Sequence, residues 1–162
     1  MAEPTDDRID TSSGDSVTVR IAAPPERIYA IVTDIENMGR LSPECTGGRW
    51  LAGATGPRVG ARFKGTNKRG LMRWSTTNLV VDAEPDRRFA FETKQSGARW
   101  SYVLEPDGDG TLVTESRSMW RDRPRSASIA LKLFLGGEEN HEQEMRDGIR
   151  ATLDRLKALA EA

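Results

Sequence analysis

Histidine and cysteine are nearly missing from this chain: His141 and Cys45 stand alone among 162 residues. A single cysteine forms no internal disulfide, and one cysteine with one histidine cannot build a structural zinc site. Neither sign of charge is in excess, since 24 Lys and Arg oppose 25 Asp and Glu for a net charge of −1. The basic field that nucleic acid requires is lacking, so no nucleic-acid partner is expected. No apolar run reaches membrane-spanning length, and the first residues show neither the basic segment nor the apolar core of a signal peptide. A soluble, cytoplasmic protein without a membrane span is expected, as a monomer or weak dimer. Gly136-Gly137 lacks the spacing and the lysine of a phosphate loop, and no serine sits on a nucleophile elbow. Glu138 and His141 alone leave a metal underligated. No metal and no cofactor are expected.

What is present is one domain's worth of chain, long enough to bury a core. Residues 1–14 carry Glu3, Asp6, Asp7 and Asp10 with Ile9 as the one strongly apolar side chain after Met1. Such a segment buries too little surface to offset the entropy of ordering it. It is expected to be a disordered acidic tail, with a single domain over residues 15–162.

Val17, Val19 and Ile21 alternate as a strand. Pro24-Pro25-Glu26 then opens a helix, because proline is tolerated in the first turn and an acid there meets the positive helix end. Ile28, Ile31, Val32 and Ile35 form its buried stripe, and Asn37 to Leu41 reads as a second short helix stopped by Pro43. From Cys45 to Trp120 strands and turns recur about every dozen residues, the spacing of an antiparallel meander. Among the turns is Asn67-Lys68-Arg69-Gly70. Ala98 to Glu105 and Thr111 to Glu115 flank an Asp107-Gly108-Asp109-Gly110 reversal and pair as a hairpin. From Ser126 onward there is no proline, and a helix capped at Ser126 or Ser128 is expected. Ile129, Leu133, Phe134, Met145, Ile149, Leu153 and Leu156 mark its apolar stripe, with a break at Gly136-Gly137.

Four segments in this order resemble a known family. They are Ala23-Pro24-Pro25-Glu26-Arg27-Ile28-Tyr29, the run Val59 to Asn67, the Trp100/Tyr102/Glu105-Pro106 hairpin with Gly110-Thr111, and the ending Gly148 to Leu156. Over residues 16–160 the chain is similar to the START-like helix-grip (SRPBCC) superfamily, in its bacterial polyketide cyclase/dehydrase branch. The resemblance implies an α+β helix-grip fold: a curved seven-stranded antiparallel sheet around a long C-terminal helix, with two short helices between strands one and two. It also implies a cavity between sheet and helix for a small hydrophobic, lipid- or polyketide-like ligand.

Strand parity names the side chains that would face such a cavity. Trp100, Tyr102 and Leu104 share one face, as do Phe89 and Phe91; Phe63, Trp74 and Asn78 join them. Val81, on the face opposite Val80, leaves the Trp74 strand ambiguous. Every one of these aromatics could instead be ordinary core. On the final helix, His141 and Met145 lie along the apolar stripe, His141 facing the cavity as a proton donor or acceptor or sitting at its mouth against Glu138. Glu115 shares the parity of Val113, so it is either a buried acid of raised pKa or a partner of Arg99 or Arg117 on a solvated face. Asn67 and Asn78 could orient a ligand carbonyl, but Asn67, beside Lys68-Arg69-Gly70, reads as turn chemistry. With few charges in the lining, a neutral or weakly anionic ligand is expected. Binding or carriage of that ligand is the expected function. The alternatives are a cofactor-independent cyclase or dehydratase working through Tyr102, Glu115 and His141, and a protein-interaction module. An apolar cavity favours the carrier, inward polar groups the enzyme, and a filled core with an exposed apolar patch the module.

Overall fold

The computed structural model describes residues 15–121 and 138–162. The expected tail, the helix start near Ser126 and the Gly136-Gly137 break lie outside the described residues, as do the side chains of His141 and Met145. The elements are β1 (Asp15–Ile21), α1 (Pro25–Val32), a 3-10 turn (Ile35–Arg40), β2 (Cys45–Trp50), β3 (Arg62–Arg69), β4 (Met72–Glu84), β5 (Arg88–Thr93), β6 (Ala98–Asp107), β7 (Gly110–Met119) and α2 (Glu138–Glu161). The seven strands make one sheet in the order β1-β7-β6-β5-β4-β3-β2, every neighbouring pair antiparallel.

α1 starts with Pro25 in its first turn and Glu26 beside the helix N-terminus. Its end is marked by Thr33, whose hydroxyl donates to the Tyr29 carbonyl at 2.7 Å. The second short helix spans Ile35–Arg40 and is a 3-10 turn. It lies tight against β2 because two glycines leave no Cβ between them. A Cβ on Gly39 would stand 2.7 Å from the Thr46 carbonyl oxygen, and one on Gly48 would stand 2.9 Å from both Ile35 Cγ2 and the Lys64 carbonyl oxygen.

β3 runs on through Arg69, with Asn67 paired to Cys45 on one side and Trp74 on the other. The expected turn at Asn67 is therefore strand, and only Gly70 and Leu71 lie between β3 and β4. The ambiguity at Val81 has a physical origin. Val80 pairs with Phe91 and Asp82 with Ala90, so Val81 is the extra residue of a β-bulge that resets the parity of β4. Val80 stays inside, buried opposite Phe91.

α2 buries Ile149, Thr152, Leu153, Leu156 and Ala160, one stripe at helical spacing. That stripe meets the core of Ile21, Ile28, Val32, Phe63, Phe89, Leu104 and Val113. The end of α2 is fastened to the β1–α1 connection. Glu161 Oε1 accepts from the Ala22 amide at 2.8 Å, and Lys157 Nζ donates to the Arg20 carbonyl at 3.0 Å. Among the described residues no helix is long and apolar enough to cross a membrane.

Candidate functional site

Between the sheet and α2 lies a cavity of about 210 Å³. Its sheet wall comes from inward-facing side chains on successive strands. Phe63, Trp74, Asn78, Phe91, Trp100 and Tyr102, all expected from parity, line it. Phe63 packs edge-on to Phe91, ring centroids 5.0 Å apart, and to Trp50 at 5.6 Å. Phe89 and Leu104 share the parity but are fully buried in the core and do not line the cavity. α1 packs on β5 and β6, so core fills that part of the concave face.

Two polar groups stand in this wall. Tyr102 and Glu115 are opposite each other on β6 and β7, and the phenol donates to Glu115 Oε1 at 3.1 Å. Glu115 is 2% exposed, and its Oε2 is buried without a hydrogen-bond partner. Burial pushes this carboxyl up to about 8, against a smaller opposing effect of the Tyr102 hydrogen bond. Burial, with Glu115 beside it, also holds the Tyr102 phenol well above its ordinary value. The solvated ion pair to Arg99 or Arg117 is not formed. Arg99 Nε donates to Glu92 at 3.0 Å, and Arg117 lies 3.8 Å from Asp15. The β7 face on which Glu115 stands is buried along Thr111, Val113 and Arg117, so the acid is inside.

The second group is a relay along β4 and β5. Thr93 Oγ1 donates to Asn78 Oδ1 at 2.8 Å, and Asn78 Nδ2 donates to Thr76 Oγ1 at 3.2 Å. Thr76 and Thr93 share the parity of Trp74 and Phe91, which is the signal that would have found them. Gly65 leaves room here, since a Cβ on it would lie 2.8 Å from Thr76 Oγ1.

The rest of the lining was missed. The 3-10 turn and the loop after it contribute Met38, Leu41, Pro43 and Glu44; β2 contributes Cys45, and α2 contributes Glu144, Gly148 and Thr152. The last three follow an i, i+4, i+8 row beside Ile149 and Leu153, legible only once the rotation of α2 is known. Asn67 also lines the cavity, as a strand residue. Arg69 reaches from β3 to Glu144 on α2, tying the hairpin to the helix. Burial raises the Glu44 carboxyl; Arg69 opposes that shift and Glu144 adds to it. The lining thus carries three carboxyls, Glu44, Glu115 and Glu144, rather than few charges. Cys45 donates its thiol to the Gly47 carbonyl at 3.4 Å, and burial raises its pKa, so it is not poised as a thiolate nucleophile. Among the described residues no cluster of three or more His, Cys, Asp or Glu could hold a metal ion.

Chemically, the site offers an aromatic wall, a neutral carboxylic acid beside a phenol, and an amide held by two hydroxyls. A family model described as polyketide cyclase / dehydrase and lipid transport matches residues 16–161. No curated protein matches the chain at a significant level. Among solved structures, a polyketide-cyclase-like protein of Corynebacterium glutamicum is 28% identical, with a TM-score of 0.60 over 91% of this chain and 88% of that one. The di-domain ARO/CYC StfQ from the steffimycin biosynthetic pathway has a TM-score of 0.70 at 13% identity, over 91% of this chain and 50% of that one. A Bacillus halodurans protein has a TM-score of 0.67 at 18% identity, over 91% and 96%. The last two likenesses concern the fold.

Proposed function

Because the chain belongs to the polyketide cyclase / dehydrase and lipid transport family, we propose that its cavity binds a small, largely apolar ligand of one or two rings. The observation that carries this reading is the cavity itself, walled by Phe63, Trp74, Phe91, Trp100 and Tyr102. Its volume of about 210 Å³ lies between the ~150 Å³ of an apolar cavity that takes benzene and the roughly 300 Å³ where drug-sized pockets begin. A compact aromatic fits that space better than a long-chain lipid does.

A second reading is an acid–base enzyme on such a ligand, favoured by the inward Tyr102–Glu115 pair. A carboxyl titrating near 8 holds a proton at neutral pH and can give it to a substrate oxygen or take it back. Dehydration or cyclisation needs that exchange. The interaction-module reading is weaker, because the space under the sheet is a cavity rather than filled core.

Native mass spectrometry of the purified full-length chain tests the binding reading. A retained small aromatic, lost from Trp100→Ala, is the expected result. A long-chain lipid adduct, or an adduct that the variant keeps, would overturn it.

A further inference from the structure

Glu115 brings to the cavity a carboxyl for which the protein supplies only half the partners. Oε1 accepts from Tyr102, whereas Oε2 is buried with none. In the ionised form Oε2 is an orphaned buried acceptor, which is costly, and a ligand donor at that oxygen recovers the cost. The wall beside it is aromatic, formed by Trp74, Phe91, Trp100 and Tyr102. Ring faces attract cations. Arg117 already occupies the Trp100 ring, 6.0 Å from its centroid, which leaves the Tyr102–Glu115 end for a ligand. Glu44 adds a second carboxyl to the lining, and no Lys or Arg is among the described lining residues.

We propose that the preferred ligand carries a basic nitrogen on its one- or two-ring aromatic body, with the ammonium paired to Glu115 Oε2. This rests on the reading of the cavity as a ligand site. The titratable and charged groups on the elements about Glu115 are Tyr102 on β6, Arg117 on its own strand with Asp15 of β1 beside it, and, across the cavity, Cys45, Glu44 and Glu144, the last paired with Arg69 of β3. With only protein groups around it the acid is neutral up to about pH 8. An ammonium beside it favours the ionised form. At neutral pH the neutral acid and the ammonium therefore give a carboxylate–ammonium pair, and one proton leaves to solvent. A hydroxyl in the same place hydrogen-bonds without releasing a proton.

The test is calorimetric titration of the full chain with two probes of one shape: naphthylmethylamine and naphthylmethanol. Each is run at neutral pH in phosphate and in Tris, whose ionisation enthalpies differ. The amine should bind at least about tenfold tighter than the alcohol. The amine's binding enthalpy should change between buffers as release of close to one proton requires, and the alcohol's should not. In Glu115→Gln the amine's advantage over the alcohol and its buffer dependence should disappear. Should that variant not fold, the buffer dependence of the unaltered protein decides. An amine that binds no tighter than the alcohol, or releases no proton, overturns the proposal and leaves the binding reading intact. If neither probe binds, the binding reading falls first, and this proposal with it.

Discussion

Tyr102 and Glu115 face each other across β6 and β7, both buried, and the phenol donates to Glu115 Oε1 at 3.1 Å. The pairing follows from the hairpin register, in which Leu104 opposes Val113 and Trp100 opposes Arg117. The buried β7 face of Thr111, Val113 and Arg117 thus holds one acid whose one hydrogen-bond partner is neutral. That arrangement keeps the acid protonated, and it makes stability depend on pH.

Glu115 binds a proton up to about 8 in the folded chain, against an ordinary value of 4.5. The native state holds more protons than the unfolded state between those values, so unfolding free energy should fall as pH rises through that window and level off above it. The slope this one group contributes is at most about 1.4 kcal/mol per pH unit. Urea denaturation across the window should show the decline. Glu115→Gln should flatten it, and an equally steep decline in the variant would assign the effect to another group.

Thr93→Val keeps shape but takes the donor from Asn78 Oδ1, now bonded at 2.8 Å. With Asn78 buried, a loss of about 1–3 kcal/mol is expected. A urea midpoint unchanged from the parent would mean that water enters the cavity to replace the hydroxyl.

Gly39→Ala would put a Cβ 2.7 Å from a backbone oxygen of β2, while Gly56→Ala meets nothing within 4 Å. The first should cost about 1–3 kcal/mol as an overpacking change, and the second should stay within about 0.5 kcal/mol as a surface change. Thermal melts of the two variants side by side provide the comparison.

Trp100→Ala should weaken naphthylmethanol binding at least about tenfold, because it strips one wall of the cavity. Arg87→Ala, at an exposed position in the β4–β5 turn, should bind like the parent. Equal affinities measured by fluorescence titration would make Trp100 core rather than cavity wall.

Much of the sheet wall was readable in the chain because strand parity is a local property. Phe91, Trp100 and Tyr102 face one side wherever the strand goes, since each backbone step turns the next side chain over. Parity failed where local geometry changes. The bulge at Val81 inserted a residue that no pattern of apolar side chains announces. Asn67 read as a turn because Lys68-Arg69-Gly70 follows it, yet ladder bonds to β2 and β4 hold it extended.

The order of residues determined the elements, their antiparallel pairing and the face on which Glu115 stands. Only the folded chain decided whether that face meets water or an apolar wall, and so whether Glu115 pairs with an arginine or stays a neutral acid. Glu44, Cys45 and Glu144 joined the lining from distant segments, through the close seat of the 3-10 turn on β2 and the rotation of α2. Periodicity says which side chains lie together on one element. Which elements then enclose a common space depends on packing between segments far apart in sequence, and no local pattern encodes it.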